Sequence, residues 1–520
     1  MLADTPDVDN PARNAGIKPG ERGVLDDGSV GLPVARMGLE HEFFLVDRSG
    51  EPRDLADLFL RECREAARAE GLDPRCFQAE SVMGMVEITT PPTYGVGEMT
   101  AYYLDNLGLA LGVASELGLA LYPLGTYPLQ IEPVIREDPG YAVRASIIGQ
   151  ERFSHAGRCA GAHLHLELPA GTVWPDVQAA LRAPDAAQRE LLGLYNLATA
   201  LDPALVALSR ACPFYQGSTD GFAARTVHYR GILGFEGLYM DMHEVGGLSA
   251  YASRVEDLVD QQRARYRAWF AAMDRAGVER RLFAQAGGNL HRASWNPVRL
   301  SHHGTVEFRT MDANFPEMVL AVCALIRAAA ERVRRERLEV RPGRRVLALE
   351  PDGDLLHVPT FSYLNGELLC AAVTGGLLDR RVEAYVDSLV RFASPYLERP
   401  ELVGPLGTSG GYKNTESEIL ATFPHGGVSL TRDRGLSLVQ EACRRLDEQV
   451  SSLRRRYNAA PKGDQRDPGV ARVVFVRESP IILAEGTQPA GADEEKDTAR
   501  GRQGARMSKR GSTARAVRRP

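Results

Sequence analysis

Gly161-Ala162-His163-Leu164-His165-Leu166-Glu167-Leu168 is the stretch on which the fold of this chain turns. Side chains on a strand alternate between its two faces, so the leucines share one face and His163, His165 and Glu167 the other. Three more runs repeat the pattern. In Gly38-Leu39-Glu40-His41-Glu42-Phe43, Glu40 and Glu42 fall on one side. In Met85-Val86-Glu87-Ile88-Thr89, Val86 and Ile88 face a core and Glu87 faces away. In Val306-Glu307-Phe308-Arg309, Glu307 and Arg309 point together, opposite two apolar residues.

A solvated, charged strand face accounts for any one of these runs taken alone. Taken together they differ from ordinary surface, because their second faces carry Glu, His and one Arg, with no Lys. Clustered carboxylates repel unless something neutralises them, and a divalent cation does so readily. Oxygen-dominated ligation with an occasional imidazole suits Mg²⁺ or Mn²⁺ better than zinc. Several carboxylates and an arginine on one sheet are what phosphoryl transfer needs. No GxxxxGK[ST] loop occurs, nor a GxGxxG after a strand, so a nucleotide such as ATP must be held by metal and arginine.

Around these runs, helical apolar spacing marks residues 56–70, 98–117, 187–208, 255–276 and 316–337, with later helices at 367–372, 381–392 and 436–457. Strands are expected at 36–46, 85–90, 120–124, 162–168 and 305–311. The two element types do not alternate strictly and no repeat of about 30 residues is visible, which favours an α+β fold with an antiparallel sheet. The domain reading is a flexible leader at 1–34, a catalytic domain at 35–460 and a mostly disordered tail at 461–520. Residues 486–520 hold nine basic and four acidic side chains and no aromatic. Such composition cannot offset its ordering entropy. Deleting residues 1–30 and 486–520 is therefore expected to leave activity and melting temperature nearly unchanged; a large loss of soluble protein would show that a terminus docks.

The 520 residues are 44% hydrophobic and 25% charged, with a net charge of -6, and give no basis for a nucleic-acid or membrane partner. The seven cysteines are scattered and include no CxxC pair, so they read as buried free thiols of a reducing compartment. Residues 1–34 lack the apolar region of a secretory signal. The apolar stretch at 107–124 is broken by Glu116 and Pro123. The chain is expected to be cytoplasmic, and the sequence allows a homo-oligomer.

The runs at Gly38–Glu42 and Met85–Pro91 resemble the paired motif that opens glutamate–cysteine ligases of the bacterial carboxylate–amine ligase type. Further matches follow in order: Gly125-Thr126-Tyr127-Pro128, Gly161–His165, Ala207-Leu208-Ser209 through Pro213-Phe214 and Gly217, and His303–Arg309 with Asp312. The resemblance implies a glutamine-synthetase-like antiparallel sheet forming a funnel-shaped active site, with helices on its other face. It implies metal ligation by Glu40, Glu42, Glu87, His163 and Glu307. Arg225 and Arg309 would contact substrate or phosphates. His165, on the same strand face as His163, suits a partner behind the ligands, a hydrogen bond to substrate or nucleotide, or a purely structural role. The implied reaction joins small-molecule amino-acid substrates with ATP, through an acyl phosphate, releasing ADP and phosphate. Two stretches depart from the family pattern: Tyr127, where histidine is frequent, and Gly410-Gly411-Tyr412-Lys413-Asn414-Thr415-Glu416.

Some residues carry competing readings. Arg225 also suits a surface loop, and Trp295 and Asn296 suit either a core or a pocket wall. Asp312 and Asn314 follow a strand and suit caps for the helix near Pro316. Two other functions compete. A metal-dependent amidohydrolase would use His163-Leu164-His165 as its opening metal pair, but needs a βα barrel. A family member that only binds nucleotide or amino acid would be expected to have lost ligand side chains.

Overall fold

The computed structural model describes residues 35–172, 177–219, 221–289, 291–422 and 429–458. The leader and tail assigned above therefore lie outside the described residues. By its contacts the chain groups into two units, Met1–Ser479 and Pro480–Pro520, and every described residue belongs to the first.

The alternating runs form the centre of a seven-stranded sheet whose pairings are all antiparallel. Its strands are β1 (Met37–Asp47), β2 (Phe77–Ala79), β3 (Met85–Thr89), β4 (Leu119–Tyr122), β5 (Gly161–Glu167), β6 (Val298–Ser301) and β7 (Thr305–Asp312). They are ordered β2-β3-β1-β5-β7-β6, and β4 pairs with the far end of β1. Met37, Leu39, Phe43 and Leu45 of β1, with Ala162, Leu164 and Leu166 of β5, enter one large apolar core. His41 sits among them, its Nδ1 2.8 Å from the Tyr103 hydroxyl, and burial pushes its pKa down to about 3. A neutral imidazole with a hydroxyl partner is tolerated there.

Helices cover that apolar face. Val96–Glu116, Asp185–Ser209 and Pro316–Arg335 all contribute to the same core. Pro316 opens its helix at the first position, where the missing N–H costs nothing. Asp185–Ser209 is long and apolar enough to cross a membrane, but 89% of that window is buried inside the protein, the pattern of a core helix.

The expected α+β class is therefore present: an antiparallel sheet with helices on one face. Each expected strand and helix is found with ends shifted by a few residues, except that 367–372 begins in a π-helical turn, Leu364–Leu368, before Leu369–Thr374. The βα barrel required by the hydrolase alternative is absent among the described residues. Elements not anticipated include β2, β6, the helices Pro139–Ile148 and Gln150–Arg158, and a separate three-stranded sheet, β8 (Glu339–Gly343), β9 (Glu350–Asp352) and β10 (Leu355–Pro359).

One irregularity decides where side chains point. Between β5 and β7, Leu164 pairs with Phe308 but Ala162 pairs with Met311, so β7 carries an extra residue at Arg309–Thr310. Such a bulge resets the alternation. Val306 and Phe308 face the core and so does Met311, which turns Asp312, opposite Gly161, to the same side as Glu307.

Candidate active site

Register places the charged side chains in a row across the sheet. Glu42 lies opposite Glu87, Glu40 opposite His163, and His165 opposite Glu307, with Arg299 on the far side of Glu307. All are buried except Arg299, which is half-buried; Glu87 and Glu307 are 0% exposed. This is the opposite of a solvated strand face.

Three overlapping groups bring potential ligand atoms within 4.8 Å of one another: Glu40, His165 and Glu307; Glu40, Glu87 and His163; and Glu42, Glu80 and Glu87. Glu40 belongs to the first two and Glu87 to the last two, so the groups form a continuous chain. His163 Nδ1 lies 3.2 Å from Glu40 Oε2, and His165 Nε2 lies 3.2 Å from Glu40 Oε1. His165 Nδ1 is 2.8 Å from Thr305 Oγ1. The Gly161 amide donates to Glu42 Oε2 at 2.7 Å.

Electrostatics sorts these groups. Burial alone would raise Glu40, but the His165 and His163 imidazoles outweigh it and hold the carboxyl well below its usual range. Burial likewise opposes ionisation of Glu307, and Arg299 and Arg309 overcome it. Arg299 Nε donates to Glu307 Oε2 at 2.5 Å, and Arg309 donates to Oε1. Burial, with Arg309 nearby, pushes His163 down to about 3, so its imidazole is neutral at pH 7. Its Nε2 is buried and makes no hydrogen bond, lying 3.9 Å from Glu42 Oε1. A tautomer donating from Nδ1 to Glu40 leaves that Nε2 lone pair for a cation. Ionised carboxylates and a neutral imidazole whose Nε2 makes no hydrogen bond fit a hard divalent ion.

Beyond Arg309 lies a small cavity lined by Arg225, Tyr229, Arg230, Trp295 and Arg309, among others. Arg225 is buried, not a surface residue. It donates to the carbonyls of Thr310 (3.1 Å) and Arg309 (3.2 Å), the two bulge residues. Its guanidinium passes so close to β5 that a Cβ on Gly161 would lie 2.3 Å from Nη2. Gly161→Ala is therefore expected to displace Arg225 and lower kcat/KM about 10²-fold with little change in melting temperature; wild-type kinetics would separate Arg225 from the reaction.

The five expected metal residues, His165 and Arg309 all meet on this face, and Arg225 borders it. Four participants were not anticipated. Glu80 follows a strand too short to show alternation, and Gln78 lies opposite Glu87 on that strand. His303, in the β6–β7 turn, has its ring 6.3 Å from that of His165. Arg299 was legible in principle, since Val298-Arg299-Leu300 alternates. Trp295 satisfies both of its readings, stacking on Tyr239 at 5.6 Å while lining the cavity. Asn296 is wholly buried and binds the carbonyls of Glu244 and Gly247.

The capping reading of Asp312 and Asn314 needs correction. Phe315 holds the cap position and makes no side-chain cap. Asp312, turned over by the bulge, accepts from the Ala211 amide at 3.0 Å and Cys212 Sγ at 3.1 Å. Asn314 binds the Ser209 carbonyl and accepts from Thr415 Oγ1. The two departures from the family pattern also find places. Tyr127 is packed with Phe44 and Tyr122, its hydroxyl on the Gly50 carbonyl at 2.8 Å. Asn414, Thr415 and Glu416 dock on Ala207, Asn314 and Arg210, clamping the end of the core helix.

The antiparallel sheet thus carries a buried row of carboxylates and imidazoles with arginines at one end. The chain belongs to glutamate-cysteine ligase family 2, whose family model matches residues 36–362, more than half of its length. It is similar to the glutamate–cysteine ligase of Halobacterium salinarum, with 28% identity over 295 residues, covering 55% of this chain and 67% of that protein. Among solved structures, it resembles a glutamate–cysteine ligase from Francisella tularensis in complex with AMP, at 11% identity and a TM-score of 0.42, covering 82% of this chain and 92% of that one. A bifunctional glutathione synthetase from Pasteurella multocida gives 13% identity and a TM-score of 0.40, covering 80% of this chain and 52% of that one. Family membership makes this chain a C–N ligase acting on small-molecule substrates and ATP, with a divalent metal ion.

Proposed function

We propose that this chain joins the side-chain carboxylate of a glutamate-type amino acid to the amine of a second amino acid, of the cysteine type, forming a γ-glutamyl bond. The observation that carries this reading is the strand register, which gathers Glu40, Glu42, Glu87, His163 and Glu307 on one buried face. In this reading those five residues hold Mg²⁺ or Mn²⁺, and Glu80 joins Glu42 and Glu87. The ion, when bound, neutralises the phosphate oxygens of ATP and polarises the transferring group.

The protein's own groups do the rest. Glu40 and Glu307 stay ionised at neutral pH under the influence of the imidazoles and arginines beside them. His165 orients Glu40 and borders the nucleotide. Arg309 stabilises charge on the phosphoryl group as it passes to the substrate carboxylate. Arg225, at the cavity end, holds a substrate carboxylate. The amine then attacks the acyl phosphate and phosphate leaves. Residues 35–460 constitute the catalytic unit, placed in the cytoplasm, where ATP is available.

An ADP-release screen of amino-acid carboxylates against amines, with Mg²⁺ and with Mn²⁺, tests the assignment. ADP formation that needs both an acid and an amine is expected. ATP-independent hydrolysis of an amide would instead revive the hydrolase reading, and binding without turnover the non-catalytic one.

A further inference from the structure

Asp202 lies in the C-terminal half of the core helix Asp185–Ser209 and is 0% exposed. Its Oδ2 accepts from Arg230 Nη1 at 2.9 Å and its Oδ1 from Arg230 Nη2 at 2.7 Å. Oδ1 also accepts from the Thr310 hydroxyl at 2.5 Å. A buried ion pair of this kind gains little stability over well-packed apolar residues, since desolvation offsets the Coulombic attraction. The neighbouring helix positions are Ala200, Leu201, Ala204 and Leu205, all buried and apolar, so an apolar pair in place of both Asp202 and Arg230 would suit this core equally well. Stability alone does not explain the charge.

Its location does. Thr310 is one of the two bulge residues of β7, where regular pairing with β5 is interrupted and the ladder no longer sets side-chain direction. The other is Arg309, and the carbonyls of both hold Arg225. Arg230 continues the same network along the helix Ala224–Arg230, which also carries Arg225, and it lines the cavity. We propose that Asp202 is a positioning residue: through Thr310 and Arg230 it fixes the bulge, and so aims Arg309 and Arg225 at the reacting groups. The proposal rests on the ligase reading above for its kinetic consequence, but not for its structural one.

Thr310→Val removes only the hydroxyl and leaves the Asp202–Arg230 pair intact. Asp202→Ala would strand a guanidinium in the core, so that a failure to fold would say nothing about aim. Thr310→Val is expected to lower kcat about 10-fold or more while KM for ATP stays within about twofold, because ATP is held by the carboxylate face. Thr310→Ser, which keeps the hydroxyl, is expected to recover kcat to within about threefold of wild type. Amide hydrogen exchange across residues 305–312 should quicken in the valine variant and not in the serine variant. Wild-type kcat in Thr310→Val, or a serine variant no better than valine, overturns the proposal. If the wild-type protein releases no ADP with any acid and amine, the ligase reading fails instead, and exchange alone decides: unchanged exchange in Thr310→Val overturns the positioning role.

Discussion

Glu87→Gln lowers turnover by about 10²-fold or more and leaves the protein folded. Glutamine keeps the volume and one carbonyl oxygen but loses the charge that a hard cation requires. Glu87 belongs to two of the three ligand groups and is wholly buried, so its removal affects both. The metal-free protein should be no less stable than wild type, because one negative charge leaves a cluster that includes Glu42 and Glu80. Mg²⁺ or Mn²⁺ should raise the melting temperature of wild type more than that of the variant. Glu40→Gln is expected to lose as much activity, since Glu40 links the other pair of groups. Near-normal Mg²⁺-dependent activity in the Glu40→Gln, Glu87→Gln double variant would remove the metal from the account.

Arg309→Met is expected to reduce kcat by roughly 10²–10³, equivalent to about 2.7–4 kcal/mol of transition-state stabilisation. KM should rise much less, because the guanidinium matters most as charge moves between oxygens. The variant should fold, since Glu307 keeps Arg299 Nε at 2.5 Å and is not left as an unpaired buried charge. Arg309→Lys should recover little, because a compact ammonium cannot reproduce the planar fork. An equal rise in KM with kcat intact would make Arg309 a binding residue only.

Alternation made most of this site legible. Leu39, Glu40, His41 and Glu42 announce a two-faced strand, and the same holds for His163 to Glu167 and for Val306 to Arg309. That the second faces meet one another, rather than water, follows from register, which no single strand encodes. The bulge at Arg309–Thr310 is invisible for the same reason: an extra residue exists only relative to the partner strand. Asp312 therefore suits a helix cap as readily as a site residue when its strand is taken alone, whereas the bulge turns it to the side of Glu307. Glu80 was missed because three residues of β2 are too few to show a period. Asp202 gave no local signal at all, as its partners Arg230 and Thr310 stand 28 and 108 residues away. Tyr127 shows the converse: a departure from the family pattern that packs among aromatics within the fold.

The central claim is that the carboxylate face serves phosphoryl transfer to an acid, and one isotopic measurement addresses it. The acid is prepared with ¹⁸O in its reacting carboxylate and turned over with ATP, Mg²⁺ and the amine. When the amine displaces phosphate from the acyl phosphate, the bridging carboxylate oxygen departs with the phosphate, so a single ¹⁸O must appear in the released phosphate. Unlabelled phosphate from a reaction that consumes ATP and forms the amide would contradict the account.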